Sequence, residues 1–494
     1  MAHRLTYRLA LTLLLALAGF ASAQTWTPLT HQPGVNVGPM LQLRDGRILV
    51  HEEQAGDPTR WWVLAPSASG SYVDGMWSSA GNTAAFGYAP FYFGSQVLLD
   101  GKTVAIEGGE YNFGTAKWTT LGAQLTYSGS SFTWVQNLPP AGWSTIGDAQ
   151  SVILADGRYM QANCCTTQSA VRLGHSTWGP DILSAGVDND EGGYTLLQNG
   201  KVLMVDAWHT GCQTTNTSSE LFDPISNKWS CVVPPTIGQL WDNSGHELGP
   251  AVTMHNGKVF QVGATNLTNV FDPSGPGSWS LGPTPPGGLT GYDAPGALEP
   301  NGKVLEMLGP PGFGAGCQFM EYNGATLTPL VNQPAHCPGD PSFIGHLMML
   351  PSGQIMFTDL SGFVEVYNPG GSPEPVAVPI ILASQLIYHS PSVNNLLYGQ
   401  QLNGLSQNNA YGDDYQGDTD FPLVRLTCNA GNTCPAGNVY WTLTHDESTH
   451  SIAPGTIMYT KFDIPAGVPA GFYTMVSIAS GVKSNPIIVR VVAP

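Results

Sequence analysis

A hairpin motif that recurs seven times constrains the fold of this 494-residue chain more than any other feature. In each copy, a short apolar segment leads into a turn that ends in glycine, and a second apolar segment follows. The copies are MLQLRDGRILV, QVLLDGKTVAI, SVILADGRYMQ, YTLLQNGKVLMV, AVTMHNGKVFQV, GALEPNGKVLEM and LMMLPSGQIMF. Asp-Gly and Asn-Gly between apolar segments are typical of tight β-hairpins. Hairpins that recur about every 50 residues predict a propeller of four-stranded blades.

Further features recur after the hairpins and resemble kelch repeats. Several copies continue into a Phe-Asp-Pro or Tyr-Asn-Pro turn, and five reach a tryptophan that is expected to begin an outer strand: Trp77, Trp134, Trp178, Trp229 and Trp279. The seventh copy ends before such a tryptophan, whereas Trp26 lies in a similar segment, TWTPL, near the N-terminus. We therefore predict that an N-terminal strand completes the seventh blade, and that these tryptophans pack in the blades rather than bind ligand.

The repeat stops after Glu374, and a different pattern follows. Alternating apolar residues in VYWTLTH, TIMYTKFDI and FYTMVSIAS predict a seven-stranded β-sandwich. No segment has the periodicity of a strong amphipathic helix. The predicted fold is therefore all-β, with a seven-bladed kelch-like β-propeller over residues 24–374 and an immunoglobulin-like β-sandwich over residues 375–494.

The first 23 residues have the pattern of a secretory signal peptide. Arg4 and Arg8 precede a short apolar stretch at residues 9–20, and Ala21-Ser22-Ala23 is an Ala-x-Ala cleavage site. We expect cleavage after Ala23 and a secreted or periplasmic product. A retained membrane anchor is the alternative, but the stretch is short for a bilayer span, and no second stretch is long and apolar enough to be one.

Charge and composition exclude one class of partner. The formal net charge is −18, whereas nucleic-acid binding needs a cationic surface. Low charge with many Trp, Tyr and Asn residues suits a neutral small molecule or glycan, because aromatic faces stack on sugar rings and amides bond to hydroxyls. We expect no nucleic-acid partner and a monomeric protein.

The eight cysteines fit an oxidising compartment. Pairing each with its nearest neighbour gives Cys212–Cys231, Cys317–Cys337 and Cys428–Cys434, and leaves Cys164 beside Cys165. A bond between sequence neighbours closes a strained ring outside the usual geometry, and pairing of either residue elsewhere, for example with Cys212, is the alternative. We favour the vicinal disulfide, which would present a flat apolar surface to a ligand. None of the spacings matches a Cys-x-x-Cys zinc site.

A propeller of this kind followed by such a sandwich resembles the galactose oxidase and glyoxal oxidase superfamily. The segments GLSQNNAYGDDYQGDTDFPLVRLT and WTLTHDESTH look like the early-set C-terminal domain of that family. The resemblance implies copper held by two tyrosines and two histidines, with a cysteine cross-linked to one tyrosine as a radical cofactor. Most of these side chains come from the innermost strands of the blades.

Most of that ligand set is missing here. The corresponding ring position, nine residues before each turn glycine, is occupied by Val37, Tyr92, Asp148, Glu191, Leu248, Asp293 and Ile344. The resemblance puts the cysteine at Val37, the modified tyrosine at Tyr92, the Tyr-His pair at Phe343 and Ile344, and the C-terminal histidine at His445. Only Tyr92 and His445 match, so the copper radical cofactor is not expected. A rebuilt copper site that uses His346 is the alternative.

Acidic residues occupy the predicted axis instead. Asp148, Glu191 and Asp293 are at equivalent ring positions. Asp190 and Glu247 are each one residue from a ring position, and His246 adjoins Glu247. Converging carboxylates repel one another unless a cation, raised pKa values or a ligand offsets the repulsion. Oxygen ligands favour Ca²⁺, Mg²⁺ or Mn²⁺, and an added imidazole favours a transition metal. We therefore expect a divalent metal on Asp148, Glu191, Asp293 and His445, the last from the loop THDESTH. Acids that only cap strand ends and bind water are the alternative.

These features lead to the hypothesis of a secreted propeller protein with a carbohydrate or metal site at the axis. The further candidate ligand-binding residues are His246, Glu247, His346, Cys164 and Cys165. One alternative is an oxidoreductase of the galactose or glyoxal oxidase type with an altered metal site. Others are a metal-assisted lyase or hydrolase and a protein-interaction scaffold. In an enzyme, the catalytic candidates are Tyr92, His445, Asp148, Glu191 and Asp293.

Overall fold

The computed structural model describes residues 24–53, 56–208, 211–212, 216–412, 417–431 and 433–493. The predicted signal peptide at residues 1–23 lies outside them. Within these ranges, helix is confined to three-residue 3₁₀ turns, at Ala84–Phe86, Pro286–Gly288, Cys337–Gly339, Ser342–Ile344 and Pro375–Ala377. None of the described helices is long and apolar enough to cross a membrane.

Seven antiparallel sheets, here called blades 1 to 7, follow one another around a central channel. Blade 1 contains Val37–Gln42, Ile48–Glu52, Arg60–Ala65 and Met76–Asn82. Blade 2 contains Gly94–Val97, Thr103–Glu107, Gly122–Ser128 and Ser131–Asn137. A small separate sheet contains Pro90–Phe91, Tyr111–Asn112 and Thr115–Ala116. Its strands come from the chain just before blade 2 and between the second and third strands of that blade. Blade 3 contains Ser151–Ile153, Tyr159–Ala162, Gln168–Gly174, Thr177–Trp178 and Ile182–Leu183.

The later blades repeat the same order. Blade 4 contains Tyr194–Leu196, Val202–Val205, Ser219–Asp223 and Lys228–Cys231. Blade 5 contains Leu248–Thr253, Val259–Gly263, Thr268–Asp272 and Ser278–Leu281. Blade 6 contains Gly296–Leu298, Val304–Leu308, Gln318–Tyr322 and Leu327–Pro329. Blade 7 contains His346–Met349, Ile355–Thr358, Glu365–Asn368 and the N-terminal strand Thr25–Pro28.

The N-terminal strand closes the ring as predicted. Thr25–Pro28 pairs antiparallel with Glu365–Asn368, which brings Trp26 opposite Tyr367. The Trp26 ring lies 4.9 Å from that of Phe319 in blade 6 and 5.7 Å from that of Phe357 in blade 7. The missing tryptophan of the seventh repeat is therefore supplied from the other end of the propeller.

The turn glycines explain why the hairpins are so regular. All seven have φ between 78° and 89°, a left-handed conformation that glycine adopts without the steric cost of a side chain. The turns lie at the end of the channel that faces the sandwich, here called the hairpin end. The inner strands begin at the opposite end, here called the mouth.

The sandwich consists of two sheets. One contains Ile380–Ser384, Ser392–Gln400, Ile457–Ile464 and Leu443–His445. The other contains Ile387–His389, Ile487–Val492, Gly471–Ala479, Leu423–Cys428, Val439–Trp441 and Val482–Lys483. The described strands exceed the predicted seven because segments of two or three residues are too short to show an alternating pattern. We retain residues 24–374 and 375–494 as the proposed domain limits.

One part of the C-terminal region leaves the sandwich and enters the channel. Residues 405–412, here called the axial segment, contribute strand Asn409–Ala410, which pairs with the inner strand of blade 6. Side chains of the segment also accept backbone N–H groups from two other blades. Gln407 accepts from Leu196 at 2.6 Å, and Asn409 accepts from Met349 at 2.9 Å. The axial segment therefore ties several inner strands together.

A buried network of ion pairs joins the sandwich to blade 1. Arg44 donates two hydrogen bonds of 2.8 Å to the carboxylate of Glu447. His450 lies 3.3 Å from both Glu447 and Asp420. Burial alone would lower the pKa of His450, but these two carboxylates raise it to about 9. Burial would likewise raise the pKa of Glu447, but Arg44 and His450 lower it to about 2.

The cysteine pairing is confirmed. The structure contains the disulfides Cys164–Cys165, Cys212–Cys231, Cys317–Cys337 and Cys428–Cys434.

Candidate functional site

A cavity of about 560 Å³ opens at the mouth of the channel. Its lining combines acids with aromatic rings. The acids are Glu110, Asp148, Asp190, Glu191, Glu247 and Asp293. The aromatic residues are Tyr92, Tyr111, Trp118, Trp208, Phe313 and Phe343. The described lining contains no lysine or arginine, so the site suits a cation, or a ligand that donates hydrogen bonds.

The backbone at the mouth is strained in a repeated way. Tyr92, Glu191 and Asp293 occupy the same ring position and have φ of 51°, 57° and 49°. A left-handed conformation costs a residue with a side chain roughly 1–2 kcal/mol. Such conformations cluster at functional sites because the surrounding structure holds them there.

Three of the acids converge. Carboxylate oxygens of Asp148, Asp190 and Glu191 lie within 4.8 Å of one another, and we call these residues the axial triad. Its negative field extends to Tyr111. Burial first, then the charges of Glu110, Asp148 and Glu191, raise the pKa of that phenol.

The structure thus brings together two of the four predicted metal ligands, Asp148 and Glu191, and joins Asp190 to them. Asp293 lines the same cavity, but its Oδ2 lies 3.2 Å from the hydroxyl of Tyr411, which hydrogen-bonds to it. The Tyr411 hydroxyl also contacts the carbonyl oxygen of Phe343. Asp293 is therefore linked to the axial segment.

His445 lies away from the mouth, contrary to the expectation that it would join Tyr92. Its strand belongs to the sandwich, and a side chain added at Gly101, a turn glycine of the hairpin end, would collide with it. Its Nδ1 lies 3.1 Å from Asp446 and its Nε2 lies 3.2 Å from Asp463. The sheet register of the sandwich fixes this position, and the axial segment occupies the channel instead.

His346 is buried at the start of the inner strand of blade 7. Its ring is parallel to that of Tyr411, with centroids 5.3 Å apart. Burial lowers the pKa of His346 to about 3, so this imidazole is neutral at ordinary pH. Val37, at the position of the family's cysteine, is fully buried in the apolar core.

Trp208, which lines the cavity, belongs to a group of three stacked rings. Its ring lies parallel to the imidazole of His246, with centroids 4.0 Å apart. The Trp241 ring is also nearly parallel to that imidazole, with centroids 5.4 Å apart. Trp208 remains 38% exposed and lines the cavity beside Glu247. The predicted ligand-binding residues His246 and Glu247 thus lie at the mouth, and His246 supports Trp208.

The vicinal disulfide borders the axial triad. Cys164 is buried and Cys165 is exposed, with its Sγ 3.8 Å from Oδ1 of Asp190. A side chain at Gly147 would come within 2.2 Å of the Cys164 sulfur, and the φ of Gly147 is +67°. The disulfide therefore packs closely against the turn that immediately precedes Asp148.

Sequence reasoning did not identify several residues of the cavity. Trp118, Trp208 and Phe313 lie in connections outside the repeat motif, where no spacing signal exists. Tyr411 lies in the polar, glycine-containing segment already compared with the early-set domain. A polar, glycine-containing stretch between predicted sandwich strands is the one sequence signal that the chain leaves the sandwich near Tyr411.

Comparisons with known proteins show the fold. No family model and no curated protein matches the sequence. The structure of a fungal alcohol oxidase in complex with copper matches 95% of this chain and 99% of its own, with a TM-score of 0.51 and 13% identity. A streptogramin B lyase matches 70% of this chain and 97% of its own, with a TM-score of 0.47 and 13% identity. The chain thus shares the propeller fold of the copper alcohol oxidase structure, and at 13% identity the likeness concerns the fold alone.

Proposed function

We propose that this chain is a secreted recognition protein that binds a divalent cation and a carbohydrate at the mouth of its propeller. The observation that carries the proposal is the convergence of Asp148, Asp190 and Glu191 within 4.8 Å in an aromatic-lined cavity. An all-oxygen set suits Ca²⁺, Mg²⁺ or Mn²⁺ better than copper. The four disulfides fit an oxidising compartment.

The remainder of the lining suits a polyhydroxylated ligand. Trp118 and Trp208 line the cavity and are 43% and 38% exposed, and aromatic rings of this kind stack on sugar rings. The carboxylates of Glu110 and Glu247 can accept hydrogen bonds from hydroxyls. The volume of about 560 Å³ is within the range of small-molecule sites, roughly 300–1,000 Å³. A cation on the axial triad can also coordinate hydroxyl oxygens, so that both parts of the site act on one ligand.

The residues at the family's copper positions argue against radical oxidase chemistry. Val37 and Ile344 offer no metal ligand where the resemblance requires a cysteine and a histidine, and His445 lies at the hairpin end. Tyr92 alone does not supply a four-ligand copper site.

Metal binding tests the first half of the proposal. Ca²⁺ and Mn²⁺ are titrated calorimetrically into chelator-treated protein and into the double variant Asp148→Asn/Glu191→Gln. We expect one site in the wild type and an affinity at least about tenfold weaker in the variant, because two of three charged ligands are lost. Asp156→Asn, an exposed change in a hairpin turn, is the control and should bind as the wild type does. Equal affinity in all three proteins would contradict the proposal.

A glycan array tests the second half, with and without the preferred ion. Retention that needs the ion and is lost on Trp208→Ala supports the carbohydrate assignment. Phe472→Ala, an exposed aromatic in the sandwich, is the control. Stoichiometric copper with peroxide release from alcohols or aldehydes would instead support the oxidase alternative.

A further inference from the structure

A second group of metal-ligating side chains lies outside the lining of the axial cavity. His336 and Asp340 belong to the connection that enters blade 7, and Asp359 follows the second strand of that blade. One ligand atom of each residue lies within 4.8 Å of the other two. Because successive strands of a blade alternate in direction, this connection and this loop are both at the mouth end.

The charges in this group do not balance. The carboxylates of Asp340, Asp359 and Glu365 surround one imidazole, that of His336, whose Nδ1 lies 2.7 Å from Oδ2 of Asp359. Burial, followed by the charge of Asp359, raises the pKa of Asp340. Burial, with a smaller contribution from Asp359, also raises the pKa of Glu365. Within the described part of the chain, no hydrogen-bond donor reaches the buried Oδ2 of Asp340.

The surrounding structure already orders these ligands. The Cys317–Cys337 disulfide anchors the turn next to His336. The amide of Cys317 donates to the carbonyl oxygen of Asp340 at 2.9 Å. The other carboxylate oxygen of Asp359 accepts the amide of Ser361 at 3.1 Å. A ligand set held in this way loses little conformational freedom when it binds an ion.

We propose that His336, Asp340 and Asp359 bind a Zn²⁺ ion that fastens the connection entering blade 7 to the blade itself. Imidazole nitrogen and carboxylate oxygen are both donors that Zn²⁺ accepts, and a water molecule would complete its tetrahedral coordination. Bonds of roughly 2.0–2.1 Å put tetrahedral ligand atoms about 3.3 Å apart, which side-chain rotation achieves from the observed spacing. The ion would strengthen the blade that the N-terminal strand completes.

The test is a titration with Zn²⁺ in the background of Asp148→Asn/Glu191→Gln, which removes the axial triad as a competing site. We expect one Zn²⁺ per chain and a rise in Tm. The added change His336→Gln should weaken Zn²⁺ binding at least about tenfold and abolish the rise in Tm. The His336 side chain is 45% exposed, so this change should leave folding intact, which circular dichroism verifies.

His175→Gln is the matched control, because His175 is also exposed and makes one side-chain hydrogen bond, to Gln124. It should bind Zn²⁺ as the background protein does. Asp340→Asn removes a different ligand and should weaken Zn²⁺ binding as His336→Gln does. Equal Zn²⁺ affinity in His336→Gln and the background protein, or no binding in the background, overturns the proposal. Neither result bears on Ca²⁺ at the axial triad.

Discussion

The two ends of the propeller channel both hold carboxylates, but they neutralise them differently. At the hairpin end, Glu447 and Asp420 contact Arg44 and His450, with side-chain exposures of 1% or less. At the mouth, the described lining contains six acids without lysine or arginine. Buried carboxylates are tolerated best beside cations. The hairpin end takes these cations from the chain itself, whereas the excess of acids at the mouth suits a bound cation.

We therefore expect the removal of charge to lower stability at the hairpin end and to raise it at the mouth when no cation is bound. Effects of the same sign at both ends would contradict this difference.

The largest effect is expected from Arg44→Met. The change leaves Glu447 buried without its bidentate partner, and breaking a buried pair costs about 3–5 kcal/mol. Urea unfolding measures the loss. Arg158→Met is the control, because the Arg158–Asp156 pair is 32% and 45% exposed and should contribute less than about 1 kcal/mol. Similar losses for the two variants would show that the network is not structural.

The next effect is a dependence of stability on pH. The pKa of His450 is about 9 in the folded protein, above its ordinary value of 6.5, so its stabilisation is present below pH 6.5 and is lost as pH rises through 9. The lost free energy of unfolding is about 3 kcal/mol. The pKa of Glu447 is about 2, below its ordinary 4.5, so its stabilisation is present above pH 4.5 and is lost as pH falls through 2.

Urea unfolding at about pH 6 and pH 9.5 measures the alkaline part of this dependence. His450→Gln should be less stable than the wild type at the lower pH and should lose little more at the higher pH. An equally steep loss in His450→Gln would assign the effect to other groups.

The smallest effect concerns the mouth and has the opposite sign. In the presence of a chelator, Asp148→Asn/Glu191→Gln should raise the free energy of unfolding by up to about 1 kcal/mol, because it removes repulsion between like charges. Saturating Ca²⁺ should then stabilise the wild type and not the variant. Thermal unfolding under both conditions checks this. A variant that is destabilised with the chelator present would mean that the mouth acids maintain the fold.

The ring could be predicted from sequence because its signal is local. Each turn glycine sits in a hairpin of adjacent residues, so the count of blades followed from spacing. The pairing of Trp26 with the seventh blade followed from the tryptophan missing in that repeat and from the similar segment TWTPL. The disulfides followed from proximity along the chain for the same reason.

The arrangement of the mouth could not be predicted, because it depends on contacts between distant residues. Tyr411 meets Asp293 only after the axial segment has entered the channel. The ring positions were also assigned by counting nine residues back from each turn glycine, which treats all blades as identical. In blade 3 the left-handed residue is Gly147, one position before Asp148, whereas in blade 4 it is Glu191 itself. Such one-residue differences decide which carboxylates converge.

Closure of blade 7 by Thr25–Pro28 sets an order for folding. The partner strand Glu365–Asn368 is separated from it by almost the whole propeller, so the ring cannot close until the last blade has formed. Until then the first strand has an unpaired edge, which is a site where chains can join one another. Closing so long a loop carries an entropic cost that grows only slowly with length. Folding of the ring therefore ends at this seam, and unfolding is expected to begin there.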